Sequence, residues 1–272
     1  MSSIFPFLRY DFMVLALLAV LIISPLFGML GTMIVTRRMA FFSDALGHSA
    51  LTGIAVGVVC GITDTTISMI IFAIVFALLL NEIGRRTMVS HDTIISVFSS
   101  ASLAIGLAIL SRGGNFSKYS SLLVGDILSI TRREIVYLLV ILIVTMGFFM
   151  VFGNKLMAVS LNAPLARSRA LPVGLLENLF SVLVALVVTL SIKWVGILII
   201  NALLILPAAA SANMSSNVRE YHFMSILFSL FSGLSGLILS YYVNVATGPM
   251  IVIIAAVIYF GTYVYTRKNP NA

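Results

Sequence analysis

The chain has 272 residues, 61% hydrophobic and only 9% charged, with a mean hydropathy of +1.16. A soluble domain carries about 25% charged residues, disorder needs low hydrophobicity, and a disulfide scaffold needs more than the single Cys60, so all three classes are excluded. Sixteen Lys and Arg against nine Asp and Glu give a net charge of +7, but the basic residues sit in pairs between apolar runs, a pattern that sets membrane topology rather than nucleic-acid binding.

The composition is that of an all-α polytopic membrane protein. A helix crosses the hydrocarbon in about 20 residues, so the length accommodates eight or nine transmembrane helices and little else. The opening MSSIFPFLRYDF lacks the basic flank and small-residue cleavage site of a signal peptide, and the first apolar run is expected to be retained. Charge-free runs then occupy residues 12–36, 49–63, 65–81, 93–111, 135–154, 178–192 and 194–218. Residues 223–266 are long enough for two crossings, with the turn at Asn244–Pro249, where Gly248 and Pro249 break the helix. Nine segments result, predicted as one membrane domain without repeats or a soluble linker.

Basic residues orient them. Arg37, Arg38, Arg85, Arg86, Lys155, Arg167, Arg169, Arg219, Arg267 and Lys268 fall on one side if the segments alternate, which predicts a cytoplasmic C-terminus. Nine crossings would leave the N-terminus outside; eight would follow if the first residues lie along the interface or one segment is re-entrant. Arg112, Lys118, Arg132 and Arg133 fall on the other side, and Ser120–Thr131 between them is too short to cross. A half-helix dipping back from the outer surface is predicted there, carrying Asp126 on the side where a cation would enter, or as a cap or helix–helix hydrogen bond.

No GxxxxGK[ST], HExxH or GxSxG motif is present, so the chain holds no phosphate loop, metalloprotease helix or nucleophile elbow of its own. The sharpest feature is Asp44 and His48, four residues apart. On a helix they share one face, where a carboxylate and an imidazole can ligate one borderline divalent cation such as Zn²⁺ or Mn²⁺. The competing reading makes Asp44 a helix cap bonded by His48. Gly53, Gly57 and Gly61 form a small-residue stripe for helix packing. Asp92 is predicted as an N-cap, His91 as a solvated loop histidine and His222 as a side chain at a cytoplasmic edge, so no second histidine is expected in the membrane. Asn201 and Pro207 lie deep in an apolar run, Asn201 lining a pore or bonding a neighbouring helix and Pro207 kinking or breaking its own. In the longest cytoplasmic loop, Asn162 and Pro164 start a short amphipathic helix, Arg167 and Arg169 follow, and Pro172 to Gly174 stop it. This is a coupling helix for a cytoplasmic motor, or a plain surface loop.

Six stretches carry a resemblance over nearly the whole chain: RRMAFFSDALGHSALTGIAVG at 37–57, HDTIISVFSSASLAIG at 91–106, LLVGDILSITRREI at 122–135, ALPVGLLE at 170–177, IKWVGILIINALLILPAAASA at 192–212 and YYVNVATGPMIVI at 241–253. In this order the chain resembles the integral-membrane permeases of ABC importers for zinc, manganese or iron, and the zinc members most. The resemblance implies a type II ABC importer permease fold in a bacterial plasma membrane. It implies a second permease copy completing the pore, cytoplasmic ATP-binding subunits that hold the ATP, and an extracytoplasmic metal-binding protein. The family's D-x-x-x-H pair falls on Asp44 and His48, and its coupling loop on residues 160–174. A proton-coupled secondary metal transporter is the alternative of a different class, in which Asp44 and His48 would relay protons.

Overall fold

The computed structural model describes residues 10–62, 64–87, 89–112 and 125–268. Among them are ten α-helices and one three-residue 3₁₀ turn, with no strand. The helices are α1 (Asp11–Thr36), α2 (Ala40–Val59), α3 (Thr65–Arg86), α4 (His91–Arg112), α5 (Arg132–Leu161), α6 (Ala163–Ser168), α7 (Val173–Val195), α8 (Ile197–Met214), α9 (Val218–Val243) and α10 (Thr247–Lys268). The 3₁₀ turn, Ile127–Ser129, precedes α5.

Each of the nine apolar segments forms a helix. Eight of them are long and apolar enough to cross a membrane, and the ninth, α8, is shorter. A helix satisfies its backbone polar groups internally, which is what a bilayer demands of a spanning segment. The ends are set by local chemistry. Asp64 caps α3 by accepting from the Thr66 N–H at 2.8 Å, while Arg85 and Arg86 meet the negative end of its dipole. Glu134 reaches back to the Thr131 N–H at 2.8 Å, half of a capping box at the start of α5. Asn217 caps α9 through the Glu220 N–H at 2.9 Å. At the other end of α9, Asn244 takes the left-handed conformation, φ 56°, and the chain reverses there into α10; Gly248 and Pro249, expected to break the helix, lie instead in the first turn of α10.

The chain divides into two compact units, each drawn from separated stretches. The first contains α1, the 3₁₀ turn, α5 as far as Thr145, and the chain from Trp194 onward. Within it α1 packs on α8 and α9, and α8 and α9 on α10. Gly28 of α1 lies against the backbone of Ile226, where an added Cβ would come within 2.8 Å of Cα. Ser225 Oγ then donates to the Gly28 carbonyl at 2.7 Å, joining α9 to α1. The second unit contains the chain from Arg37 through α4, α5 from Met146, α6, and α7 to Lys193. In it α2 packs on both α3 and α4. Gly53 meets Met69 and Phe72, and Gly57 meets Ser68, so these two glycines seat α3 against α2 as the stripe predicts. Gly61 does not join them; it lies past the helix end with φ +71° and nothing within 4 Å of its missing Cβ.

Three expectations are corrected. The span predicted at 49–63 begins at Ala40, because the helix starts directly after Arg37-Arg38 and takes Asp44 and His48 into its own first turns. The turn expected from Gly248 and Pro249 is made by Asn244, while the half-helix expected at 120–131 lies in part outside the described residues, where only the 3₁₀ turn Ile127–Ser129 is described. Pro207 neither breaks nor ends α8, which runs on to Met214.

Candidate metal site

Helix α2 has no side-chain cap at Met39, so its start is fixed by the tight Arg37-Arg38 link, with Arg38 at φ 55°. Asp44 and His48 follow on successive turns. His48 Nε2 lies 3.6 Å from Asp44 Oδ1, with the His48 side chain 25% exposed and the Asp44 side chain 46% exposed. Asp44 is four residues inside the helix and therefore is not its cap, which removes the competing reading. A separation of 3.6 Å is long for a hydrogen bond. Two donors each about 2.1 Å from a tetrahedral zinc ion lie about 3.4 Å apart, so the pair has the spacing of two ligands on one ion. The neighbouring Ser43 and Ser49 donate to the carbonyls of Ala40 and Leu46 at 2.9 Å each. Their hydroxyls are thus tied to their own helix, and His48 Nδ1 is buried without a hydrogen bond.

A cavity of about 610 Å³ opens on this face of α2 and is walled on its other side by α4. Asp44 and His48 line it together with Asp92, Ser96, Ser99 and Ser100. The register follows from one contact. Thr52 Oγ1 donates to the Ser102 carbonyl and accepts from Ser102 Oγ at 3.0 Å, while Gly106 lies against the Thr52 backbone. Short turns at each end of α3 make α2 and α4 parallel. About two turns back from Thr52, Asp44 therefore stands level with Ser96, and His48 with Ser99 and Ser100. Among the described residues no three His, Cys, Asp or Glu side chains gather closely enough to hold one ion.

His91 and Asp92 are placed differently from expectation. His91 is not in a loop; it opens α4, and its ring lies against Gly84 of α3. The cap of α4 is Ser90, whose Oγ accepts from the Thr93 N–H at 3.3 Å, so Asp92 sits in the first turn instead. His222 lies within the apolar helix α9, its Nδ1 2.7 Å from Thr32 Oγ1. His222 thus lies in the second turn of α9, next to Arg219 and Glu220 at the end of that helix where the sequence places a cytoplasmic edge. Asp126 is exposed, and its Oδ1 accepts from the Leu128 N–H at 3.0 Å, capping the 3₁₀ turn. In the same unit it borders an apolar cavity of about 120 Å³ with Trp194 and Pro249. Asn201 is half-buried and Pro207 buried on α8, also in the first unit.

The loop at 160–174 forms α6. Asn162 accepts from the Leu165 N–H at 3.0 Å, Pro164 lies in the first turn, and only Ala166 is buried. Leu165, Arg167 and Arg169 are exposed. The helix ends at Ser168, with Arg169 as its C-cap and Ala170 left-handed at φ 55°; Pro172 and Gly174 instead lead into α7. Just beyond them lies a network that sequence reading missed. Glu177 pairs with Arg37 at 3.3 Å and with Arg85 at 3.5 Å, and Arg85 donates to the Gly174 carbonyl at 2.8 Å and to Asn178 Oδ1 at 2.7 Å. The Arg37 guanidinium stacks over Phe180 and is buried, which pushes its pKa below the ordinary value against the opposing pull of Glu177. The signal available in the sequence was that Glu177 is the lone carboxylate between Glu134 and Glu220.

Comparison with known proteins follows the same lines. The chain is 29% identical over 245 residues to the high-affinity zinc uptake system membrane protein ZnuB of Haemophilus influenzae, covering 90% of this chain and 94% of that one. It is 25% identical over 262 residues to the manganese transport system membrane protein MntC of Listeria monocytogenes, covering 96% and 93%. The solved structure of PsaBC from Streptococcus pneumoniae in complex with a Fab superposes with a TM-score of 0.84 at 26% identity, over 97% of this chain and 95% of that one. The profile of the ABC 3 transport family matches residues 9–266, and with eight apolar helices long enough to span a membrane this chain belongs to that family of metal permeases, which are multi-pass membrane proteins and not enzymes.

Proposed function

We propose that the chain is the membrane-spanning subunit of an ATP-driven importer that carries zinc into the bacterial cytoplasm across the plasma membrane. The observation that carries this reading is the Asp44–His48 pair, set at ligand spacing on the wall of a cavity inside a spanning helix. Ionisable residues are costly at such depth and are kept for function. One nitrogen and one oxygen donor suit a borderline dication, and two donors hold it loosely enough to let it leave. A second copy facing the first would bring the set to four. The ATP belongs to cytoplasmic subunits that dock on residues 160–174, where Asn162, Pro164, Arg167, Arg169, Pro172 and Gly174 shape the exposed α6. An extracytoplasmic metal-binding protein delivers the ion, and the C-terminus lies with Arg267 and Lys268 in the cytoplasm. Asp126, Asn201 and Pro207 belong to the conduit or its gate.

Zinc is favoured over manganese and iron by the RRM and IKWVGILIIN stretches. Manganese is the second reading, supported by the MntC relatives. Uptake of radioactive zinc and manganese by cells relying on this chain separates the two. His48→Ala is expected to lower uptake of the true cargo at least about tenfold with protein levels unchanged. Unaltered uptake overturns the assignment of the pair.

A further inference from the structure

Helix α4 presents a polar stripe that the Asp44–His48 pair does not account for. Asp92, Ser96, Ser99 and Ser100 recur at helical spacing on one face, and all four line the 610 Å³ cavity. Three of these four residues, Asp92, Ser96 and Ser100, are exposed, and Ser99 is half-buried. Serines within apolar helices commonly bond back to their own backbone, as Ser111 on the same helix does by donating to the Ala108 carbonyl at 3.1 Å. The hydroxyls of Ser96, Ser99 and Ser100 make no hydrogen bond among the described residues, and neither does the Asp92 carboxylate. A face of unspent hydroxyls is costly against lipid and useful against water or a partly dehydrated ion.

Asp92 has a second property. It lines both this cavity and an adjoining one of about 360 Å³, which holds Arg37, Arg38 and Arg85 with Glu177. A dication leaving Asp44 and His48 along α4 therefore moves toward three guanidinium groups. The Asp92 carboxylate stands on the way and offsets their repulsion.

Resting on the reading of the chain as a metal importer, we propose that Ser96, Ser99, Ser100 and Asp92 form the inner track of the ion. The serine hydroxyls replace lost waters beside Asp44 and His48, and Asp92, one turn nearer the helix start, receives the ion on its way to the cytoplasm. Oxygen donors of this kind bind a borderline dication weakly, which suits a station the ion must leave.

The test uses cells that depend on this chain, in a Cys60→Ser background. Asp92→Asn is expected to lower the maximal rate of metal uptake about tenfold while the half-saturating concentration stays within about twofold. Asp92→Cys places a soft thiolate on the track and is expected to make uptake about tenfold more sensitive to cadmium than in the Cys60→Ser parent. A first-turn Asp that only steadies its helix would change neither the maximal rate per folded protein nor the cadmium sensitivity. Cadmium sensitivity equal to the parent, or an uptake loss in Asp92→Asn that merely follows a loss of folded protein, overturns the proposal. His48→Ala in the same background keeps the two ideas apart. If it abolishes uptake while the Asp92 variants behave as the parent, the α4 track alone fails; if it leaves uptake intact, the importer site at Asp44 and His48 fails.

Discussion

His48 can ligate only as the neutral imidazole, because a protonated ring offers no lone pair to a metal. Uptake at a fixed, limiting metal concentration is therefore expected to be lower at acidic than at neutral pH and to recover as metal is raised. Uptake measured in vesicles should show both effects, and the trace of uptake left in His48→Ala should show neither. The sign is fixed by chemistry: protons and dication compete for one nitrogen. At this same scale, the D-x-x-x-H spacing was legible in the sequence, since four residues on a helix give one face whatever surrounds it. The exclusion of Asp44 as a cap was not, because that depended on α2 starting at Ala40.

Among the elements, the start of α7 is tied to the start of α2 and to the end of α3. Arg37 is buried with Glu177 as its counter-charge, so Glu177→Gln leaves a desolvated cation. The expected cost is about 1 to 3 kcal/mol, below the range for fully buried pairs because Glu177 keeps 29% of its side chain exposed. Removing both charges with Arg37→Met and Glu177→Gln should restore part of that loss, and thermal melting of the purified protein in detergent measures both. Equal destabilisation in the single and double variants would show that Arg37 acts through packing on Phe180 rather than through its charge. Pairs such as this were invisible in the sequence. Arg37 reads there as a topology signal and Glu177 as an isolated acid, and only the packing of α7 beside α2 and α3 makes them partners.

For the molecule as a whole, α6 is the element most plainly offered to another chain. Ala166 is its one buried residue among those described, and Leu165, Arg167 and Arg169 are exposed. Reversing two charges with Arg167→Glu and Arg169→Glu is expected to reduce co-purification of the ATP-binding subunit about tenfold without changing the melting of the permease itself. Full retention of that subunit would place the docking surface elsewhere.

Composition, charge placement and turn chemistry determined by themselves that this is a helical membrane protein, where its apolar segments lie, that the chain reverses near residues 244–249, and that Asp44 and His48 share a face. These are local properties: hydropathy, spacing along one helix and the preferences of single residues. Tertiary structure decided where α2 begins, that residues 127–129 form a 3₁₀ turn, that His222 bonds Thr32, and that α4 faces α2 with three serines level with Asp44 and His48, and Asp92 a turn nearer the helix start. Each of these depends on which helices pack together and in what register, and a charge-free run carries almost no record of its neighbours because its apolar faces are nearly interchangeable.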